Sequence, residues 1–182
     1  EAIPDGTLDV LIVRIHTDQG ITGVGEVTSQ SYVCKACFEA PRSAARRHGL
    51  TSILLGEDPT DPVALWEKMY YETNRYGRRG AAIHAISGAD IALWDIKGKA
   101  LGVPVYELLG GPTRDRVRVY AHVGNDPDRI KGLKAEGFTA FKTGVHSRNG
   151  LGVVASQADI EQAAETFARI REAGGKDVDI GI

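Results

Sequence analysis

From Thr7 to Ser29 the chain reads "TLDVLIVRIHTDQGITGVGEVTS", with apolar and polar residues alternating on both sides of Asp18-Gln19-Gly20. Alternation with a period of two, interrupted by turn-forming residues, predicts a β-hairpin that reverses there. Helical periodicity follows at about residues 32–48, at 62–74 ("PVALWEKMYYETN") and at 80–101. Strands followed by helices predict an α+β unit as far as "LLGG". After Pro112 the texture changes. "RVRVYAHVG" reads as a strand, "DPDRIKGLKAEG" as a helix capped by Asp126 with Pro127 in its first turn, and "FTAFKTGV" as a second strand. The loop "HSRNGLGVVA" precedes a helix over about residues 156–173, and "DVDIGI" is a third strand. That β-α-β-α-β order predicts a parallel sheet. The pattern therefore divides the chain into residues 1–112 and 113–182.

The segment "SGADIALWDIKGKALGVPVYELLGG" threads acids and lysines through apolar residues. On a helix Ser87, Asp90, Trp94 and Lys97 share a face, and Asp95 precedes Lys99 by four, the favourable order for an ion pair. Ile83, Ile86, Ile91, Leu93 and Ile96 cover the other directions. The helix is thus expected to be packed on most sides, with Asp90 and Asp95 buried and paired.

Composition narrows the function. Of 182 residues, 42% are hydrophobic and 25% charged, and 22 basic against 24 acidic residues leave a formal net charge of −2. No basic field for nucleic acid and no apolar run long enough for a membrane helix is expected. Two cysteines cannot build a disulfide framework and fit a reducing, cytoplasmic setting. "CKAC" (Cys34 to Cys37) has redox spacing but lacks the strand-to-helix context or the second ligand pair that its chemistry requires, so two small residues on a helix is the expected reading. "GLGVVA" (Gly150 to Ala155) fits a dinucleotide fingerprint. Its glycines, however, lie outside a helix that Ser156 and Asp159 are placed to cap. The glycines of "GVGEV" sit within a strand, where they permit close backbone approach. The chain opens on Glu1, its one Met being Met69, and closes within a strand pattern, so a piece of a longer protein is expected.

"AISGADIALWDIKGKALGVPVYELLGG", with "GITGVGEV" before it and "GFTAFKTGV" after it, resembles the mandelate racemase and muconate lactonizing enzyme family of the enolase superfamily. Within it, "RDRVRVYAHVG" adds a similarity to acid-sugar dehydratases of the galactonate dehydratase kind. Ala89 stands where the family usually has a larger aliphatic residue. The resemblance implies an α+β capping domain over residues 1–112, lacking its first strand, followed by the first strands and helices of a (β/α) TIM-type barrel over residues 113–182. It also implies a small-molecule acid sugar as substrate and a homo-oligomer at full length.

The implied reaction removes a weakly acidic proton α to a carboxylate, which calls for a divalent cation and a held base. The family's Mg²⁺ ligands stand at the ends of the third to fifth barrel strands. With "DVDIGI" as the third, they are expected beyond residue 182, and Asp179 is read as a strand-start residue. The family's Lys-x-Lys on the second strand, whose second lysine is a base on one face of the substrate, matches Lys142 at its first lysine, which makes Lys142 a candidate catalytic residue, with Gly144 where the second would stand. A single base suits dehydration, whereas a racemase needs a base on each face. His146 has the strand parity of Lys142 and is a candidate acid, base or substrate ligand, or else a solvated loop residue. Ser29, Gln30 and Tyr32, after the hairpin, match the capping segment that would contact a polyhydroxy acid, though a polar surface turn has the same sequence. "RYGRRG" (Arg75 to Gly80) is a candidate for facing the substrate or an ordinary loop. The alternatives are a racemase or cycloisomerase of the same family, a non-catalytic assembly protein, or a nucleotide-binding α/β module.

Overall fold

The computed structural model describes residues 10–42, 48–144 and 156–181, in two compact units, Glu1–Thr113 and Arg114–Ile182. In the first, β1 (Leu11–His16) and β2 (Thr22–Val27) form the antiparallel hairpin, with Leu11 opposite Val27 and His16 opposite Thr22. The turn closes through hydrogen bonds from Gly20 N–H to Thr17 O and from Thr17 N–H to Ile21 O. Helices α1 (Ser31–Glu39), α2 (Leu50–Leu54), α3 (Pro62–Glu72), α4 (Ala81–Leu101) and α5 (Val105–Leu108) follow. The helix predicted from residue 32 to 48 stops at Glu39. Ala40 precedes Pro41 and takes extended backbone angles, as the proline ring requires of its neighbour; residues 43–47 lie outside the described residues. Helix α3 begins as its sequence indicates, with Pro62 in the first turn and the Asp61 carboxylate accepting from Ala64 N–H.

The core of this unit joins Val13 and Val27 of the hairpin to Cys34, Leu50, Ile53, Leu65 and Met69, and to Ala85, Ile86, Ala89, Leu93 and Ile96 of α4. The hairpin meets α4 backbone to backbone. A Cβ on Gly25 would stand 1.9 Å from Gly88 O, and one on Gly23 would stand 2.1 Å from Ala92 O. No side chain fits there, which is why "GVGEV" spends glycines inside a strand. The acids of α4 answer to the same contact. Asp95 accepts from Val24 N–H at 2.9 Å, and Lys99 donates to Thr22 O at 2.8 Å. The two side chains are themselves paired at 2.6 Å. Together they satisfy the edge of β2 that β1 leaves unpaired, as a third strand would.

Burial of that helix is less complete than its sequence suggested. The Asp95 side chain keeps 28% of its exposure. Asp90 is half-buried, its pKa raised by desolvation and held back in part by a hydrogen bond with the Trp94 side chain. Its partner is therefore an indole and not a lysine, while Lys97 lies over the Trp94 ring, 5.7 Å from the centroid. Ile91 is exposed. The small residues Ala85, Gly88, Ala89 and Ala92 draw α4 against its neighbours on one broad side, and the opposite side is left open.

The second unit is a three-stranded parallel sheet in the order β3 (Ala121–His122), β4 (Ala140–Lys142) and β5 (Asp179–Gly181). Helices α6 (Pro127–Ala135) and α7 (Gln157–Gly174) connect the strands. Their caps are those the sequence indicates: Asp126 accepts from Asp128 N–H, and Ser156 with Asp159 forms a reciprocal capping box. The strand predicted from "RVRVYAHVG" is confined to two residues, and Val117, Val119 and Tyr120 ahead of it are exposed. Gly150 to Ala155 lie outside the described residues.

Candidate functional site on the open face of the parallel sheet

Strand pleating sends alternate residues to opposite faces, and in the second unit the two faces differ in kind. Val123, Phe141 and Val178 are buried with Ile130 of α6 and Ile170 of α7, and Ala121 and Ile180 pack against them. The other face carries Tyr120, His122, Ala140, Lys142, Asp179 and Gly181, and of these all but the partly buried Ala140 are exposed or held at the sheet margin. His122, Lys142 and Gly181 form one row across the three strands in register, and Asp179 stands opposite Ala140 in the row nearer the strand starts.

The start of the sheet is locked by charge. Arg118 donates to Thr139 O at 2.6 Å and to Thr139 Oγ1 at 3.1 Å, and its guanidinium is paired with the Asp179 carboxylate. Asp179 is thus a strand-start residue tied to structure, as its position in the sequence indicated. The finishing end is organised differently. Thr143, buried, donates its hydroxyl to Gly124 O, and Thr143 N–H donates to Gly181 O at 3.0 Å. Val123 N–H donates to Lys142 O at 2.9 Å. Backbone and buried hydroxyl hold the strand ends together there and leave the side chains of His122 and Lys142 unencumbered by ion pairs among the described residues.

Of the residues read from sequence as site candidates, Lys142 lies on this face at the finishing end of β4, and Gly144 follows it without a side chain. His146 lies outside the described residues. Ser29, Gln30 and Tyr32 belong to the first unit, at the passage from β2 into α1. Ser29 O accepts from Cys34 Sγ at 3.0 Å, Gln30 holds left-handed angles (φ 49°) as the residue before the helix, and Tyr32 is exposed. Arg78 and Arg79 are exposed, whereas Tyr76 of the same loop donates to His48 O at 2.7 Å. His122 was passed over in the sequence, where one histidine in the nine-residue run "RVRVYAHVG" has no distinguishing mark; only its register with Lys142 brings it forward.

The Cys34 thiol is pushed up by burial and, less, by Cys37 beside it, and Cys37 is pushed up by burial as well. Neither is therefore an activated thiolate. Among the described residues no group of three or more His, Cys, Asp or Glu is arranged to hold a metal ion. Nor is any described helix long and apolar enough to cross a membrane.

Comparison with known proteins places this geometry. Residues 5–110 match the family model for the mandelate racemase / muconate lactonizing enzyme N-terminal domain. A D-galactonate dehydratase of Verminephrobacter eiseniae is 42% identical over 180 residues, covering 94% of this chain and 44% of the relative. Among solved structures, the 3,6-anhydro-D-galactonate cycloisomerase of Zobellia galactanivorans superposes with a TM-score of 0.76 at 35% identity, over 93% of this chain and 44% of that one. An enolase protein from Sargasso Sea environmental sequencing gives 0.80 at 26% identity, over 98% and 47%. The chain thus spans less than half the length of the relatives it matches. Its first unit has the architecture of an α+β capping domain, and its second that of the first strands and helices of a (β/α) barrel. With that family model matched over more than half of its length, this chain belongs to the mandelate racemase / muconate lactonizing enzyme family, within the enolase superfamily.

Proposed function

We propose that this chain serves in an acid-sugar dehydratase, a hydro-lyase that removes the proton α to a carboxylate and eliminates the β-hydroxyl as water. Residues 1–112 act as the capping domain and residues 113–182 open the barrel. The observation that carries this reading is the 42% identity to a D-galactonate dehydratase along 94% of the chain. The placing of Lys142 on the open, polar face of the sheet supports it.

Mg²⁺ is the cofactor the family implies, as counter-charge to the enediolate. The described residues do not fit it: no carboxylate cluster is present among them, and Asp179 is held by Arg118. On this reading the cation's ligands lie beyond residue 182.

What these residues contribute is recognition and charge. The Lys142 ammonium attracts the substrate carboxylate at the finishing end of a parallel strand, where barrel sites form. Because Gly144 has no side chain, β4 lacks the second-lysine base on one face of the substrate that a racemase, needing a base on each face, would use. Ser29, Gln30 and Tyr32 supply polar contacts for the hydroxyls of the sugar, and His146 supplies an acid for the departing one.

A second reading, cycloisomerisation, is favoured by the 35% identity to the Zobellia cycloisomerase. Both reactions begin by breaking the same C–H bond, so the product decides between them. The native-length protein with Mg²⁺ should convert galactonate or a related aldonate to a 2-oxo acid lighter by one water, read by mass spectrometry. Isomers of unchanged mass would favour the cycloisomerase, and no reaction with any aldonate or anhydro-aldonate would overturn both. In the active protein, Lys142→Ala should lower kcat/KM at least ~100-fold, as loss of a charge that stabilises the developing anion does.

A further inference from the structure

At the end of β4 the side chains of Phe141, Lys142 and Thr143 alternate between the two faces. Phe141 is buried with Ile130 and Ile170, Lys142 is exposed, and Thr143, 2% exposed, turns inward again. A hydroxyl on the inward face needs a partner, and the one it has lies on another strand's turn.

Thr143 ties the finishing end of β4 to both neighbours. Its N–H donates to Gly181 O of β5 at 3.0 Å, and its hydroxyl donates to Gly124 O in the turn that leaves β3. Asn125 Oδ1, at 3.4 Å, is the longer and weaker of the hydroxyl's two acceptors. No other described residue donates to Gly124 O. Gly124 takes φ +58°, an angle at which a side chain would be strained, so the turn aims its carbonyl at β4 and the hydroxyl holds it there, outside the ladder of the strands themselves.

Lys142 depends on that tie. Its ammonium makes no ion pair among the described residues, so the place of the charge is set by the backbone from which its flexible stem projects. That backbone is held on one side by the bond from Val123 N–H to Lys142 O at 2.9 Å and on the other by Thr143. An apolar residue of the same shape at position 143 would fill the core equally well, but would leave Gly124 O without a donor and release the turn from the strand.

We propose that Thr143 is a positioning residue: by holding the turn after β3 to the end of β4, its hydroxyl fixes the point from which Lys142 reaches the substrate carboxylate. The proposal rests on the acid-sugar reading above and adds to it a residue that touches no substrate.

Three substitutions separate positioning from general support of the fold. Thr143→Val keeps the branched shape and removes the hydroxyl. Thr143→Ser keeps the hydroxyl and removes a methyl group. Ile170→Val takes a methyl group from the same core, on α7, and leaves the bond to Gly124 intact. All are compared with wild type in the native-length protein with Mg²⁺, by kcat/KM on the aldonate turned over and by calorimetric Kd for galactonate, with the urea midpoint as the measure of stability. Expected for Thr143→Val is a roughly tenfold fall in kcat/KM and rise in Kd, the effect of a shift smaller than the ~1 Å that costs a hundredfold. Thr143→Ser and Ile170→Val should stay within about threefold of wild type, Ile170→Val doing so despite a lowered midpoint. In the Lys142→Ala background Thr143→Val should bring no further loss, because the group it positions is gone. Wild-type kcat/KM and Kd in Thr143→Val would overturn the proposal. So would losses in Thr143→Ser or Ile170→Val equal to those of Thr143→Val, which would make Thr143 one more support of the core, or a full further loss in the Lys142→Ala background. If wild type binds galactonate without turning it over, the dehydratase reading fails while the Kd comparison still decides the role of Thr143; if it neither binds nor converts any aldonate, both fail.

Discussion

The hairpin of the first unit and the parallel sheet of the second both rest on helices, but by different contacts. The hairpin lies on α4 through Gly23, Gly25, Gly88 and Ala92, with no side chain between the backbones. The parallel sheet stands off from α6 and α7 by a layer of large side chains, Phe141, Ile130 and Ile170. The outward faces differ as well. That of the hairpin mixes Ile12 and Val24 with Arg14 and Glu26, whereas that of the parallel sheet groups Tyr120, His122, Lys142 and Asp179. A contact made by backbone tolerates no added atom, and one made by side chains tolerates no lost atom. The polar face that neither kind of packing covers is the one left available for chemistry.

The sharpest break of this contrast falls on two adjacent residues of β4. Phe141→Ala removes the largest fully buried side chain of the parallel sheet and should cost about 3–5 kcal/mol. Lys142→Ala, on the opposite face, should change stability by less than ~0.5 kcal/mol. Denaturant unfolding followed by circular dichroism compares them, and equal effects would abolish the distinction between the faces.

Next comes the addition of one methyl group to the hairpin. Gly25→Ala places a Cβ where Gly88 O stands, so α4 or β2 must shift, at about 3 kcal/mol, the upper end of overpacking effects. Gly20→Ala, at a turn with open space around the Cβ but φ 76°, should cost only about 1 kcal/mol. A Gly25→Ala variant as stable as Gly20→Ala would show that the approach of hairpin and helix is slack.

The smallest effects separate the two acids of α4 by sign. Asp95 is pushed up by desolvation, but its hydrogen bonds with Lys99 and with Val24 N–H outweigh this and leave its pKa lowered. Its contribution is therefore present above the unfolded carboxylate pKa of about 4 and lost as the pH falls through its lower folded value. Asp95→Ala should cost about 1 kcal/mol at pH 7, small because the pair is partly solvated, and progressively less below pH 4. Asp90, raised by desolvation, has the opposite linkage: its ionised form weighs against the fold, and this is relieved as the pH falls through its folded pKa. Asp90→Asn should thus match or slightly exceed wild-type stability at pH 7. Unfolding midpoints at pH 7 and pH 3.5 test both signs, and a parallel pH response of the two variants would refute the assignment.

What could be read in the sequence was whatever is encoded within a few residues. The hairpin turn, the Asp61, Asp126 and Ser156 caps and the alternation of helix and strand after Pro112 are local signals, because each cap or turn bond closes within three or four positions. The glycines of β2 were legible as a close approach, though not what approached. The early end of α1 follows from Pro41, a local rule that the helical periodicity around it overrode in the reading. Helix α2, at five residues, is too short to develop a period and was not foreseen.

Tertiary structure alone decided the rest. That Asp95 and Lys99 satisfy the free edge of β2, and that Asp90 is half-buried beside Trp94, depends on which side of α4 the hairpin occupies, and an amphipathic pattern apolar nearly all round does not specify that. That Ile91 is exposed follows from the same choice. Lys142 was recognisable from its motif, but its neighbour His122, twenty positions earlier, was not. Strand register joins residues across the sheet at separations set by the intervening helix, and no short-range pattern records which residue of one strand will stand beside which residue of the next.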